Sequence, residues 1–236
     1  MARFDFLKFA TDEDLAEAAA GQWLDLLAVG ATVSSSAALS GGRIAHKFFS
    51  ALARTAGAAK KLATVHFFWG DERCVAPDDP ESNFGIANEL LFSPLKIAAK
   101  QIHRIKGEIA PEQAAREAET ELEGLVAKSS DGLPIIDLIF LGMGEDGHVA
   151  SLFPTEPEEM RNNPAVYRPV IASKPPPRRI TLRYGPIVAA REVWVLASGA
   201  GKEKALRDSL SPTGATPLAR VLQRREQTRI FTDIKV

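Results

Sequence analysis

Cysteine occurs once in the 236 residues, as Cys74, so no disulfide closes within the chain, and no Cys/His grouping has the spacing of a zinc site. Neither sign of charge is in excess: 29 Lys and Arg against 30 Asp and Glu leave a formal net charge of −1, so any anion site has to be local. No overall field draws the chain to nucleic acid or to an anionic membrane. Long apolar runs are missing as well. Met1–Ala10 is broken by Arg3, Asp5 and Lys8 and lacks the apolar core of a signal peptide, and nothing later has the length of a membrane span. These absences lead to the expectation of a cytoplasmic protein with neither a nucleic-acid nor a membrane partner. The chain also lacks repeats and low-complexity tracts. With 45% hydrophobic residues it has the material for a core of its own, and at this length it should bury roughly 70–75% of its unfolded surface without help from a metal.

What is present alternates between two periods. Thr11-Asp-Glu-Asp14 has the spacing of a capping box, and Leu15, Ala19, Trp23, Leu26 and Leu27 follow at helical intervals. The small-residue segment Ala31–Leu39, the turn Ser40-Gly41-Gly42, and Ile44, Ala45, Phe48, Phe49 and Leu52 read as strand, glycine turn and helix. Leu62–Trp69 reads as a strand ending in the charged loop Gly70–Arg73, followed by a Pro- and Asp-rich loop and a helix from Asn83 through Leu91. Gln101–Ile105 is a candidate short strand, and Pro111–Lys128 a helix whose Glu117, Glu121 and Glu123 form a solvated face. Further strands are expected over Ile135–Leu141, Val166–Ile171, Arg179–Arg183, Glu192–Ala197 and near Arg229–Phe231, with a helix running through Leu210. Strands alternating with helices and no long linker predict one α/β domain over residues 1–236: a doubly wound, mostly parallel, Rossmann-like sheet with helices on both faces.

The segment Asp137–Pro154 concentrates the chemistry. Its apolar run Ile135–Leu141 suits a strand covered on both faces, and it breaks at Gly142 into Met-Gly144-Glu-Asp146-Gly-His148. In open α/β sheets ligands bind beyond the carboxyl ends of the strands, where this loop would fall. Its glycines permit close approach of backbone amides, and Asp146 and His148 supply a carboxylate and an imidazole two residues apart. Ser40-Gly41-Gly42 opens a helix, where unpaired amides and the helix dipole favour an anion, and Arg43 adds charge. Asp71, Glu72 and Arg73 crowd three charges after an apolar strand, with Arg73 suited to a phosphate or carboxylate fork or to a salt bridge with Asp71 or Glu72. Lys202 sits at a helix start, where a cation is unfavourable unless an anion or solvent offsets it. His46, His66 and His103 have no acid near them in sequence and carry no role; Trp23, Trp69 and Trp194 are assigned to the core. Arg224-Arg225 complements the carbonyl end of the last helix.

Gly142-Met-Gly-Glu-Asp-Gly-His-Val-Ala-Ser-Leu-Phe-Pro154 closely resembles the signature of the 6-phosphogluconolactonases. The resemblance continues in Ser40-Gly41-Gly42, Asp71-Glu72-Arg73, Glu81-Ser-Asn-Phe-Gly85, Lys174-Pro-Pro-Pro177 with Arg179-Ile-Thr-Leu182, and Gly201-Lys202, in the family's order. The related glucosamine-6-phosphate deaminases share the Asp-Gly-His core but typically place Tyr where Arg73 stands, and follow the Asp-Gly-His element with Asn-Glu-Pro, where this chain has Ser151-Leu-Phe-Pro154. The resemblance implies hydrolysis of 6-phospho-D-glucono-1,5-lactone to 6-phosphogluconate, the second step of the oxidative pentose phosphate route, with no metal or organic cofactor and a phosphorylated sugar lactone as the only partner. It implies His148 as general base, Asp146 as its orienting group, and a phosphate held by Ser40, Gly41, Gly42, Arg179 and Lys202, with Arg73 near the phosphate or the oxyanion. Asp71, Glu72 and Gly144 complete the expected site. The alternatives are an amino-sugar-phosphate deaminase and a noncatalytic sugar-phosphate sensor. One departure is clear: Arg43-Ile-Ala45 stands where many members have Ser or Thr and then Pro, which removes hydroxyl donors but keeps the backbone amides. Nothing in the sequence fixes an oligomeric state.

Overall fold

The computed structural model describes residues 3–29, 35–157 and 165–236. The chain runs through β1 (Arg3–Lys8), α1 (Asp12–Val29), β2 (Ser35–Leu39), α2 (Arg43–Arg54), α3 (Ala58–Lys61), β3 (Val65–Trp69) and β4 (Asp71–Arg73). Next come α4 (Asn83–Ala87), which passes into a π-helical turn at Asn88–Phe92, then α5 (Ser93–Leu95), α6 (Pro111–Leu125), β5 (Ala127–Lys128), β6 (Pro134–Ile135) and β7 (Leu138–Gly142). The remainder is β8 (Tyr167–Ile171), β9 (Arg178–Leu182), α7 (Tyr184–Ala189), β10 (Glu192–Ala197), α8 (Glu203–Leu210), α9 (Pro217–Arg224) and β11 (Gln227–Thr232). Of the small-residue segment expected from Ala31, residues 31–34 lie outside the described residues.

Six strands form one parallel sheet in the order β1-β11-β10-β7-β2-β3. Leu138–Leu141 of β7 are all buried although successive side chains point to opposite faces, so both faces of the sheet are covered, as expected for a doubly wound fold. The chain leaves β2 toward β3 on one side and returns through β7 to build β10 and β11 on the other. The switch point therefore lies between β2 and β7, where a ligand crevice opens beyond the strand ends. The two strands share only the pairs Ala37↔Leu138 and Ala38↔Ile139. Ser36 stitches their amino ends: its amide and hydroxyl donate to Asp137 Oδ2 at 2.8 and 2.9 Å, and the Asp137 amide donates back to Ser36 Oγ at 2.9 Å. Beyond the paired residues the strands share no further ladder pairs.

An aromatic chain crosses the core. The Trp23 and Phe48 rings meet Phe140 at 4.9 and 4.7 Å, Phe140 meets Trp194 at 5.7 Å, and Trp194 meets Phe231 at 5.2 Å, linking α1, α2, β7, β10 and β11. The three tryptophans are core residues, as their apolar settings predict. On α1 the buried face is Leu15, Ala16, Ala19, Ala20, Trp23 and Leu24; Leu26, expected inside, is 43% exposed. Thr11 Oγ1 accepts from the Asp14 amide at 3.1 Å, but Asp14 takes the Thr11 hydroxyl rather than its amide, so the capping box is half formed.

Other expectations are corrected. Asp71–Arg73 is no loop but β4, which pairs antiparallel with β9, and β9 with β8, in a second sheet of three strands. Gln101–Ile105 forms no strand: Gln101 closes a 3₁₀ turn over Ala99–Gln101, Ile102 makes one isolated bridge to Phe67, and residues 103–105 are irregular. The acid run of α6 is paired as well as solvated: Glu117 with Lys106 at 2.8 Å and Glu123 with Lys128 at 2.9 Å, while Glu121 Oε1 accepts from His103 Nδ1 at 2.7 Å. His103 thus has an acid partner distant in sequence, and its Nε2 lies 2.7 Å from His66 Nδ1. Arg225 serves a different helix from its own. Its Nη1 donates to the carbonyls of Ile187, Val188 and Ala190 at 3.2, 2.6 and 2.7 Å, completing the carbonyl end of α7. No described helix is long and apolar enough to cross a membrane.

Candidate active site

At the switch point lies a cavity of about 260 Å³. Its floor is built by glycines for reasons of space. Gly42 has φ 91°, a left-handed conformation that starts α2, and a Cβ on Gly41 would lie 1.9 Å from Asn83 Oδ1. Ser40 Oγ accepts from the Gly142 amide at 3.2 Å, which ties the loop after β2 to the end of β7 and leaves the hydroxyl hydrogen for a ligand. A third loop follows β10, where Asp233 accepts from Ser198 Oγ at 3.1 Å and from the Gly199 amide at 3.2 Å. That turn brings Lys202 to the N-terminal end of α8.

Beyond β7, Gly144 and His148 close a tight loop: the Gly144 amide donates to the His148 carbonyl at 2.9 Å. His148 Nδ1 lies 2.5 Å from Asp146 Oδ1, and the His148 amide donates to the same oxygen at 3.1 Å. An ionised carboxylate only accepts, so Nδ1 carries the proton and Nε2 is the basic nitrogen. Burial works to raise the Asp146 carboxyl, but the His148 ring and its hydrogen bonds outweigh burial and hold it below the ordinary carboxylate value. Asp146 stands behind the imidazole; His148 lines the cavity. The Phe153 ring packs 4.9 Å from the His148 ring and 6.0 Å beneath the Arg179 guanidinium, steadying both.

The second sheet supplies the opposite wall. Arg73 and Arg179 are direct partners across β4 and β9, a like-charge pairing that is unfavourable without an anion or other acceptors. Arg73 Nη1 donates to the Glu81 carbonyl at 2.6 Å and lies 3.3 Å from the Glu81 carboxylate, which makes Glu81 its ion-pair partner in place of Asp71 or Glu72. Its Nε is buried without an acceptor among the described residues. Arg179 donates to the carbonyls of Pro176 and Lys174 at 3.0 and 3.3 Å, and burial lowers its pKa while Asp71 works the other way. Asp71 accepts from Ser151 Oγ at 2.6 Å and faces the cavity.

Glu72 does not. Alternation along β4 turns its side chain inward, where Oε1 accepts from the Arg73 and Asn83 amides at 2.7 and 2.8 Å and Oε2 from the Phe84 amide at 2.8 Å. It anchors the start of α4. Burial pushes its pKa up to about 7 against the lowering by those amides.

The structure therefore brings Ser40, Gly41, Gly42, Arg43, Asp71, Arg73, Gly144, His148, Arg179 and Lys202 to one cavity, with Asp146 behind it and Glu72 outside. Asp12, Lys47, Asn83 and Ser198 also line it without having been assigned a role from sequence. Lys47 had a signal, since it stands four residues after Arg43 and so on the same helix face. Five basic side chains, Arg43, Lys47, Arg73, Arg179 and Lys202, face two acidic ones, Asp12 and Asp71, in a chain whose net charge is −1. Burial lowers the Lys202 pKa and Arg43 lowers it further, while Glu145 and Asp233 oppose them. This arrangement accommodates an anion beside an acid/base pair. Among the described residues no cluster of His, Cys, Asp and Glu is arranged to hold a metal ion.

The chain is similar in sequence and fold to known proteins. The sequence profile described as glucosamine-6-phosphate isomerases/6-phosphogluconolactonase matches residues 10–230. A 6-phosphogluconolactonase of Mycobacterium tuberculosis is 36% identical over 219 residues, covering 88% of this chain and 86% of its own. A probable chloroplastic 6-phosphogluconolactonase of Oryza sativa is 39% identical over 178 residues, 71% of this chain but 54% of the longer plant protein. The solved 6-phosphogluconolactonase of Trypanosoma brucei superposes with a TM-score of 0.88 at 27% identity over 98% of this chain and 97% of that one.

Proposed function

Because the chain belongs to the glucosamine-6-phosphate isomerase/6-phosphogluconolactonase family, we propose that its cavity hydrolyses 6-phospho-D-glucono-1,5-lactone to 6-phosphogluconate. The observation that carries the reading is the His148–Asp146 pair, which directs Nδ1 to the carboxylate and leaves Nε2 as the nitrogen available for proton transfer, at a cavity with more cations than acids. In this mechanism Nε2 takes a proton from water as the water oxygen attacks the lactone carbonyl. The bond from the carbonyl carbon to the ring oxygen then breaks, and the imidazolium returns the proton to that oxygen. The products are an alcohol and a carboxylic acid that releases its proton to give the carboxylate, so the balance needs no redox partner. Positioned proton transfer contributes about 10²- to 10⁴-fold, and Asp146 stabilises the imidazolium that forms. The phosphate is assigned to the Ser40–Gly42 amides, Arg179 and Lys202. Arg73 adds positive charge for the phosphate or for the oxyanion developing at the carbonyl.

The same reading takes residues 1–236 as one domain and places the reaction in the oxidative pentose phosphate route. A cytoplasmic setting is supported by the lone, unbridged Cys74. The relatives' names favour the lactone over an amino sugar phosphate, as does Arg73 in the position where the deaminases carry Tyr.

The test follows disappearance of freshly generated 6-phosphogluconolactone against its spontaneous hydrolysis, with glucosamine 6-phosphate in parallel. Lactone turnover above background, reduced at least 100-fold in His148→Ala with product affinity retained, is the expected result. Deaminase activity alone would overturn the assignment, and phosphosugar binding without turnover would make the protein a sensor.

A further inference from the structure

Lys47 is the cavity cation that the family pattern does not account for. It lies one turn beyond Arg43 on α2 and lines the same cavity. Its ammonium is 2.7 Å from Asp12 Oδ2 and also bonded to the Glu13 carboxylate, both in the first turn of α1. Asp12 lines the cavity too, so an acid and a base from two helices meet at its rim. Neither is packed away: the side chains of Lys47 and Asp12 are 37% and 35% exposed. An ion pair so open to water is weak and exchanges partners readily.

A phosphate at the Gly41–Gly42 turn changes the balance at this rim. It would offer Lys47 a second acceptor bearing more charge than one carboxylate, while Asp12 would face an anion across the cavity. Arg43 is the nearer cation by sequence, and its charge already acts on Lys202, so the positive charge on this wall is concentrated around the turn. We propose that Lys47 is a phosphate-binding, specificity-determining residue, held by Asp12 and Glu13 until it is transferred to the substrate phosphate on binding. The two carboxylates are its competitors, and Asp12 is the one that also lines the cavity. This inference rests on the phosphosugar reading of the cavity.

The two carboxyl-ammonium partners give opposite signs, which a purely structural tie between α1 and α2 would not. Lys47→Met should weaken binding of inorganic phosphate, followed by calorimetric titration, about tenfold, the loss of one charge-assisted contact. It should raise the KM for the phosphorylated lactone by a similar factor with kcat changed less than about twofold, the pattern of lost ground-state binding. Asp12→Asn should tighten phosphate binding by roughly two- to fivefold, because it removes one of the two competing carboxylates and a negative charge at the cavity. Lys47→Arg, which keeps the charge, should remain within about threefold of the unaltered protein and guards against a folding defect in the Met variant. Equal phosphate affinity in the unaltered and Lys47→Met proteins would overturn the proposal, as would weaker binding in Asp12→Asn. Phosphate titration does not depend on turnover, so failure to hydrolyse the lactone would remove the enzymatic reading while leaving the Lys47 result to stand by itself.

Discussion

Gly144→Ala isolates the acid/base geometry from everything else in the site. The backbone of Gly144 is not in the left-handed region, so an alanine has no conformational objection to meet. The objection is spatial: the new Cβ would lie 2.1 Å from both Cε1 and Nδ1 of His148 and 2.9 Å from Asp146 Oδ1. Ordinary contact begins near 3.4 Å, so the imidazole has to retreat by 3.4 − 2.1 = 1.3 Å, or the loop has to open by as much. The ring cannot slide far without losing Asp146 at 2.5 Å or meeting Phe153, whose ring is 4.9 Å away. A displacement of about 1 Å costs roughly 10²-fold in rate when it moves a group out of attack geometry. The expected outcome is a drop of that order in kcat on 6-phosphogluconolactone, with phosphate affinity and circular dichroism unchanged because the Ser40–Gly42 turn and the sheet are untouched. A Gly144→Ala protein that turns over within about threefold of the original would refute the assignment of His148 as the base.

Two further expectations concern stability. Arg225→Met removes the guanidinium that satisfies the carbonyl end of α7 and leaves those carbonyls buried, at a cost of about 3 kcal/mol in urea unfolding; a change below about 1 kcal/mol would show that water replaces it. The His66 pKa is lowered by burial first and then by His103 and Lys100, so the unfolded chain binds a proton near pH 6.5 that the folded chain resists. That contribution is present above pH 6.5 and is lost as pH falls through the folded value, and His66→Gln should flatten the decline between pH 8 and pH 5.5. Parallel slopes for the two proteins would dismiss the relay as a determinant.

The readable parts of this fold were those whose cause is local. Leu138–Leu141 and Val193–Ala197 announce buried strands through their apolar character, although Ile135, expected in the same strand as Leu138, belongs to β6 of a separate two-stranded sheet, and the glycines that follow mark the strand ends where ligands sit. Asp146 and His148 are two residues apart, so their pairing needs no tertiary knowledge. What escaped depends on partners distant in sequence. Glu72 looks like a site carboxylate until β4 pairs with β9 and turns it toward the amides of α4. Arg225 looks like a cap for its own helix until α7 arrives beside it, and His103 has no acid until α6 brings Glu121. Lys47 showed the right face of α2, but its neighbour Asp12 is fixed only when α1 packs against α2. Short β4 carries three charged residues and no apolar pattern, which is why a strand there was read as a loop.

The meagre pairing between β2 and β7 bears on when the protein becomes active. Ser36 and Asp137, which stitch these strands, are separated by 101 residues, and the Gly142 amide reaches Ser40 across 102. Lys202 follows β10, which pairs with β7, and the turn that carries it is pinned by Asp233, 34 residues beyond Gly199. No early fragment of the chain owns a complete cavity. During synthesis or refolding, helical signal and collapse will therefore precede turnover, and recovery of lactone hydrolysis will time the last closure of the sheet rather than the first appearance of structure.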